Sequence, residues 1–156
     1  GIDVANYNCP GQTVISGTKP GVAATSAVLA SQGCRVIPLT VDGAFHSRLM
    51  QPAADRFLPV LAATTFATPT CLVAQNVVGA MVSNPDEIRA NLARQVCGRV
   101  RWEECVRAMM DAGAEALVEF GPGKVLSGFV RKINKSFPVC NVATAADLAA
   151  AEALVR

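Results

Sequence analysis

One histidine occurs in the 156 residues, His46, within the stretch Val-Asp-Gly-Ala-Phe-His-Ser-Arg at residues 41–48. An imidazole accepts and returns a proton near neutral pH, which makes this side chain a candidate general base. No carboxylate partner for it is visible in the sequence, and a lone histidine is commonly an ordinary surface or packed residue. Loops that enter helices also present catalytic groups often, so spacing alone leaves both interpretations open.

The other patterns that suggest chemistry fail on inspection. Residues 121–128, Gly-Pro-Gly-Lys-Val-Leu-Ser-Gly, lack the third glycine of a dinucleotide fingerprint, because Leu126 stands there. They also lack the P-loop pattern, which requires a glycine at Val118 and Ser or Thr after Lys124. We therefore favour a tight strand-to-helix turn over a direct ligand contact here. None of the serines lies in a Gly-x-Ser-x-Gly nucleophile elbow, so a nucleophile would lie elsewhere.

The six cysteines, at positions 9, 34, 71, 97, 105 and 140, never form Cys-x-x-Cys. With a single histidine to help them, zinc binding is not indicated and no metal site is expected. Those at positions 34, 71, 97 and 140 lie in or beside apolar segments, which predicts small buried hydrophobic side chains. Reduced thiols in a reducing compartment are the favoured interpretation.

Composition narrows the class of protein. Apolar residues make up 51% and charged residues 17%, which is typical of a globular chain with a real core. The net charge of +2 comes from scattered cations without a basic run, so nucleic-acid binding is not indicated. No apolar stretch reaches the roughly 20 residues that span a bilayer, and no signal-peptide pattern begins the chain. The opening Gly-Ile-Asp-Val-Ala-Asn-Tyr-Asn reads like the middle of a protein.

The remaining pattern alternates strands and helices. Residues 4–8 and 13–16 predict a hairpin, followed by a helix at 19–32 and a strand at 34–39. Helices are predicted at 47–61, 85–97, 102–112 and 124–134, with a last one from about residue 145. Strands are predicted at 71–75, 115–120 and 138–142. The alternation predicts an α/β fold with a parallel sheet, and a smaller separate sheet for the first forty residues, which pack closely on the rest.

Four stretches resemble one family. Residues 43–53, Gly-Ala-Phe-His-Ser-Arg-Leu-Met-Gln-Pro-Ala, are similar to the histidine motif of malonyl-CoA:acyl carrier protein transacylases and of the acyltransferase domains of fatty acid and polyketide synthases. Residues 6–17 resemble the family's Asn-x-Asn-Ser-Pro-Gly-Gln stretch, with Cys9 in place of serine. Residues 94–104 and 119–128 resemble its Gln-x-x-x-x-Val-x-Trp and Gly-Pro-Gly-Lys-Val-Leu stretches.

The resemblance implies an architecture and a missing part. Residues 1–41 would be the later part of a ferredoxin-like small subdomain. Residues 42–156 would be the C-terminal part of an α/β-hydrolase-like subdomain, so that His46 lies at the junction. The family's Gly-His-Ser-Leu-Gly elbow, its oxyanion-hole glutamine and its malonate-binding arginine have no counterpart here. We therefore expect the C-terminal half of the enzyme, inactive alone and needing the N-terminal half.

The resemblance also implies a reaction. A serine takes the malonyl group from coenzyme A and passes it to the phosphopantetheine thiol of acyl carrier protein, without a cofactor, in fatty acid biosynthesis. His46 would be the general base for both attacks. Backbone carbonyls, one of them at Gln95, would orient its ring in place of a carboxylate.

Three further positions match the family's substrate-binding region. Phe45 resembles the form of the motif associated with malonyl rather than methylmalonyl selection, a steric discrimination worth ~1–3 kcal/mol. Asn76 and Asn8 match positions near the reaction centre and in the cleft, although asparagines that satisfy turn backbones would look the same.

The family's carrier protein is acidic, so a basic docking face is expected. The basic residues that could form this face are Arg48, Lys124, Arg131, Lys132 and Lys135. Each is equally well explained as an ordinary solvated cation. The expected location is the cytoplasm, or a mitochondrial or plastid matrix in a eukaryote. Two alternatives remain: a non-catalytic module that binds carrier protein, and an acyltransferase domain cut from a synthase.

Overall fold

A β-hairpin begins the chain. The computed structural model describes the backbone of residues 1–156 and every side chain except that of Val155. Strand β1 (Ile2–Cys9) pairs antiparallel with β2 (Gln12–Gly17), and Gly11 takes φ +76° in the turn between them. A positive φ carries no steric penalty for glycine, which suits this residue to the turn. The predicted hairpin is confirmed.

The hairpin is joined by a strand from much later in the chain. The two-residue strand β5 (Val100–Arg101) lies parallel to β1, with Asn6 opposite Val100 and Tyr7 opposite Arg101. Its sheet is separate from the later parallel pair, as expected, but it is not confined to the first forty residues. The division at residue 41 into two subdomains stays a prediction.

Helix α1 (Lys19–Ser31) follows the hairpin, where Thr18 Oγ1 accepts the N–H of Gly21 at 3.2 Å. The strand predicted at residues 34–39 is wrong, because residues 34–41 have no regular secondary structure. The apolar side chains Ile37, Leu39 and Val41 are 59–61% exposed. A β-branched run becomes a strand only beside a neighbour that completes its hydrogen bonds, and no described residue pairs with this segment.

The segment after His46 is helical, as predicted. A 3-10 turn (Arg48–Met50) leads into α2 (Gln51–Ala63), with Pro52 in the first turn, where its missing N–H costs nothing. Ala54 and Leu61 are the buried side chains of α2.

A short hairpin follows, where only one strand was predicted. Strand β3 (Val73–Gln75) pairs antiparallel with β4 (Ala80–Val82), which the sequence did not reveal. Helix α3 (Pro85–Gln95) then begins as predicted. Asn84 is its N-cap, and the side-chain oxygen accepts the N–H groups of Asp86 at 2.9 Å and Glu87 at 3.0 Å.

The last third forms the predicted parallel unit. Helix α4 (Trp102–Asp111) precedes β6 (Leu117–Phe120), α5 (Val125–Ile133) and β7 (Val139–Val142), and β6 pairs parallel with β7. A 3-10 turn (Ala145–Asp147) and α6 (Leu148–Val155) complete the mixed α/β fold. No helix in the described part of the chain is long and apolar enough to cross a membrane.

Helices α4 and α5 pack against β1, so the hairpin shares its core with the later elements. Ala5 and Cys9 of β1 are buried, as are Cys105 and Val106 of α4 and Val130 of α5. The hairpin and the elements after residue 42 therefore pack closely, as predicted.

The predicted burial of four cysteines is wrong. All six cysteines are among the described residues and are free thiols. Cys34 and Cys71 are exposed, and Cys97 and Cys140 are only partly covered, whereas the buried pair is Cys9 and Cys105. Cys34 and Cys71 lie in exposed segments without regular secondary structure. Apolar neighbours in the sequence therefore did not predict burial of these two side chains. Burial raises the pKa of the Cys105 thiol to about 11.

Candidate active site

His46 has an unusual backbone conformation. Its φ is +58°, and it is the only non-glycine residue with a positive φ among those that the structure describes. A side chain in this left-handed region costs about 1–3 kcal/mol, and such residues persist only where the surroundings impose the conformation. They are concentrated at functional sites, so the backbone itself marks His46 as a candidate.

The imidazole is oriented by two main-chain carbonyls. Its Nδ1 atom lies 3.1 Å from the carbonyl oxygen of Gln95 and 3.1 Å from that of Gly98. Because a carbonyl oxygen only accepts hydrogen bonds, Nδ1 must carry the proton that both share. In the neutral ring Nε2 then keeps its lone pair, which is the form that a general base requires.

Both carbonyls lie at the C-terminal end of α3: Gln95 is the last residue of the helix, and Gly98 follows three residues later. The N–H of Gly98 donates to the carbonyl of Arg94 at 2.7 Å, which closes the end of the helix. The side-chain amide of Gln95 donates to Gly98 O at 3.0 Å, so it holds the second acceptor in place. A Cβ at Gly98 would lie 2.6 Å from Arg94 O and 2.7 Å from Val77 Cγ2, so only glycine fits.

Gly98 was missed in the sequence reading. The available signal was a glycine directly after the helix predicted at residues 85–97 and inside the family motif at residues 94–104. The resemblance supplied Gln95 but not the second carbonyl.

Ser47 fixes the turn from within and was also missed. Its side chain is fully buried, its hydroxyl donates to Ala44 O at 2.6 Å, and the same oxygen accepts the N–H of Leu49 at 3.3 Å. The residue thus links the chain before His46 to the chain after it. A serine directly before a helix is a typical N-cap, which was the available signal.

Phe45 is 53% exposed, and its ring lies over Gly43. A Cβ at Gly43 would lie 2.5 Å from Phe45 Cε2, so glycine leaves room for the ring. The structure thus places an exposed aromatic side chain directly before His46 in the same loop.

Asn76 follows β3 and is half-buried. Its main-chain carbonyl accepts the N–H of Arg101 at 2.9 Å, which ties this loop to β5. Asn8 lies near the end of β1 and is also half-buried. Within the described part of the molecule, neither asparagine side chain makes a hydrogen bond to His46.

Gln75, the residue before Asn76, is held by a network of buried hydrogen bonds. Gln75 and Asn91 are buried, and the Asn91 amide donates to Gln75 Oε1 at 2.8 Å. Gln75 donates to Ile88 O at 3.3 Å, and Arg94 Nη1 donates to Asn91 Oδ1 at 3.1 Å. This network fixes α3 against β3 and so supports the carbonyl at the end of α3. Sequence reasoning found neither Gln75 nor Asn91.

The glycine-rich turn after β6 is built around Glu119. This carboxylate accepts the Ser127 hydroxyl at 2.6 Å and the N–H groups of Ser127 at 2.8 Å and Leu126 at 3.1 Å. Burial alone would raise the pKa of Glu119, but these hydrogen bonds outweigh it and lower the pKa. The N–H groups that would cradle a phosphate are thus taken by a side chain, which supports the predicted structural role.

The predicted basic candidates fall into two groups. Arg48, beside His46, forms an ion pair with Asp3. The others are exposed on α5 or just beyond its ends, namely Lys124, Arg131, Lys132 and Lys135. Among the described side chains, no group of three or more His, Cys, Asp or Glu could hold a metal ion.

Comparisons with known proteins agree on one family. Malonyl CoA-acyl carrier protein transacylase of Bacillus subtilis is 42% identical over 135 residues, which cover 86% of this chain and 43% of the relative. The solved acyl-carrier-protein-S-malonyltransferase of Bartonella henselae superposes with a TM-score of 0.92 at 38% identity, covering 99% of this chain and 50% of that one. No protein-family model matches the chain.

A further solved structure is a type II PKS acyl-carrier protein in complex with its malonyl-transacylase. It superposes with a TM-score of 0.92 at 35% identity, covering 96% of this chain and 49% of that one. The chain thus spans about half the length of the relatives that it matches.

Proposed function

Since the chain is similar in sequence and in fold to about half the length of malonyl CoA-acyl carrier protein transacylases, we propose that it is their C-terminal half and supplies the general base of a malonyl transfer. The malonyl group passes from coenzyme A to a serine and then to the phosphopantetheine thiol of acyl carrier protein. The observation that carries this proposal is His46, whose Nδ1 lies 3.1 Å from two main-chain carbonyls and whose Nε2 is left as a base.

In each half-reaction His46 accepts one proton from the attacking group and returns it to the leaving group. Nε2 takes the serine proton as the serine oxygen attacks the thioester carbon, and the imidazolium returns that proton to the departing coenzyme A sulfur. In the second half-reaction Nε2 takes the proton of the pantetheine thiol as its sulfur attacks the acyl-serine. The proton then returns to the serine oxygen. Acyl exchange between a thioester and an ester needs no electron carrier, so the proposed reaction uses no cofactor.

The chain's other residues have supporting roles in this proposal. Gln95 offers the first carbonyl and holds the second through its side chain. Phe45, exposed in the same loop, would contact the malonyl α-carbon and disfavour a methyl branch, while Asn76 and Asn8 would line the cleft.

Acyl carrier protein is the proposed protein partner, since one structural relative was solved in complex with its own. The basic residues on and near α5 are its proposed contacts. We place the reaction in fatty acid biosynthesis and in the cytoplasm, as for a bacterial enzyme.

No serine of this chain lies in a Gly-x-Ser-x-Gly elbow, so we place the nucleophile in the part of the relatives that this chain does not match. We therefore propose that the 156 residues alone do not turn over malonyl-CoA. The test is accordingly made in the complete protein, which would carry the Gly-x-Ser-x-Gly elbow.

His46→Ala in the complete protein tests the assignment. Loss of a general base lowers transfer by about 10²–10⁴-fold, while the far-ultraviolet circular dichroism stays as in the wild type. Malonyl transfer to acyl carrier protein is followed by mass spectrometry of the carrier. Undiminished transfer in this variant would show that His46 is not the base. Stoichiometric carrier binding without any transfer by the wild type would instead favour the non-catalytic module.

A further inference from the structure

We propose that Asp3, on β1, is a positioning residue that holds the loop of His46 in its working conformation. The inference is about the geometry of His46, and only its kinetic consequence rests on the proposed function.

The carboxylate of Asp3 accepts the hydrogen bonds that Arg48, two positions after His46, donates from its main chain and from its side chain. Asp3 Oδ2 accepts the main-chain N–H of Arg48 at 3.1 Å. The guanidinium adds Nε at 3.1 and 3.0 Å to the two carboxylate oxygens and Nη2 at 2.6 Å to Oδ1. The main-chain contact restrains the backbone that follows His46, and the contacts with the guanidinium hold the carboxylate in the position from which it accepts this N–H.

Strand β1 also anchors the segment that provides an acceptor for the imidazole. β1 pairs with β5 at Asn6 and Val100, and Val100 lies two residues after Gly98, whose carbonyl accepts from His46 Nδ1. Asp3 therefore fixes the backbone side of His46 to β1, and β5 fixes the acceptor side to β1. A strained φ of +58° needs such restraint from both sides, and Ser47 supplies only the contacts inside the turn.

The carboxylate is charged throughout the working range of pH. Hydrogen bonds from the Arg48 side chain and main chain lower the pKa of Asp3 to about 2. The restraint is thus present above the ordinary carboxyl pKa and is lost only as the pH falls toward 2.

An ordinary surface ion pair is the competing explanation, since the Arg48 side chain is 73% exposed. Exposed pairs contribute little to stability and would leave the histidine ring unaffected. The chain offers a matched control in Glu103, which pairs with Arg107 at 2.7 Å and whose side chain is 25% exposed, as is that of Asp3. Glu103→Ala removes a similar ion pair that has no contact with the His46 loop.

The single histidine makes the test direct. In the 156-residue chain labelled with ¹⁵N-histidine, every imidazole signal belongs to His46, and its nitrogen shifts report which ring atom carries the proton. At about pH 8, where an ordinary imidazole is neutral, the wild type and Glu103→Ala should show one set of ring signals with the proton on Nδ1. Asp3→Ala should show averaged tautomers and exchange of the Nδ1 proton at least tenfold faster. Unchanged ring signals in Asp3→Ala would overturn the proposal.

Asp3→Asn covers the case in which Asp3→Ala does not fold. Its single side-chain oxygen can still accept the Arg48 N–H, but loss of the charge and of the second oxygen weakens the contacts with the guanidinium that hold the side chain there. Ring signals between those of the wild type and averaged tautomers support the proposal, and signals identical to those of the wild type contradict it.

The kinetic consequence is measured in the complete protein. Asp3→Ala should lower kcat for malonyl transfer about tenfold with KM for malonyl-CoA unchanged, and Asp3→Asn should recover part of the loss. If His46→Ala is fully active there, the proposed function fails, while the ring signals still decide the role of Asp3.

Discussion

Replacing Gln95 by alanine separates two ways in which this residue acts on His46. Its main-chain carbonyl, which accepts from Nδ1, is kept in the variant. Its side-chain amide, which donates to Gly98 O at 3.0 Å, is lost. Gly98 O then has one donor fewer to hold it, and the second acceptor of the imidazole becomes less well placed.

The size of the effect follows from the bond that is removed. A hydrogen bond of this kind contributes about 0.5–1.5 kcal/mol net. If all of it is lost from the transition state, at about 1.4 kcal/mol for each factor of ten, kcat for malonyl transfer falls about 2- to 12-fold. That is well short of the ~10²–10⁴-fold expected when a general base is removed.

The assay is transfer to acyl carrier protein by the complete protein, measured over a range of malonyl-CoA concentrations. Gln32→Ala is the control, because Gln32 is exposed at the end of α1, and it should match the wild type. A loss of more than a hundredfold in Gln95→Ala would refute the reasoning by giving the side chain a direct chemical role. Wild-type activity would refute the claim that the amide holds Gly98.

Two further predictions concern stability in the 156-residue chain. Val106→Ala, at a fully buried position, should lower the free energy of unfolding in urea by about 2–3 kcal/mol, whereas Val28→Ala, at a position 55% exposed on α1, should change it by less than about 0.5 kcal/mol. Glu119→Gln should cost about 1–2 kcal/mol at pH 7. Because the folded pKa of Glu119 is lowered, that difference should shrink as the pH falls below about 4.5, and a constant difference would contradict the hydrogen-bond account.

Local patterns predicted most of the elements. The turn of the hairpin at Gly11, the start of α2 at Pro52 and the N-cap of α3 at Asn84 each depend on residues a few positions apart, so the sequence carries them directly. The strand expected at residues 34–39 failed because a strand depends on a neighbour, and propensity does not supply one. β5 was missed for the converse reason, since two residues become a strand only through their pairing with β1.

In the candidate site too, the local features could be predicted from the sequence and the contacts between distant residues could not. The type of residue at His46 and its motif pointed to a base, but the groups that orient the ring lie 49 and 52 residues away and are main-chain oxygens. Every residue has such an oxygen, so no residue type signals it. The resemblance provided Gln95, and only the fold revealed Gly98 and the restraint by Asp3.

Because the acceptors of its imidazole are main-chain oxygens, substitutions can affect the orientation of the proposed base, His46, only indirectly. A carboxylate that orients a histidine can be removed by one substitution, whereas no substitution deletes the main-chain carbonyls of Gln95 and Gly98. A side chain at position 98 would displace that carbonyl, because only glycine fits there. Substitutions can instead act on what holds those carbonyls and the His46 backbone. The Gln95 amide and the Gln75–Asn91 network hold the carbonyls, and Ser47 and Asp3 hold the backbone. Substitutions at these supports should therefore reduce the rate in modest steps, whereas removal of the imidazole itself should lower it by about 10²–10⁴-fold.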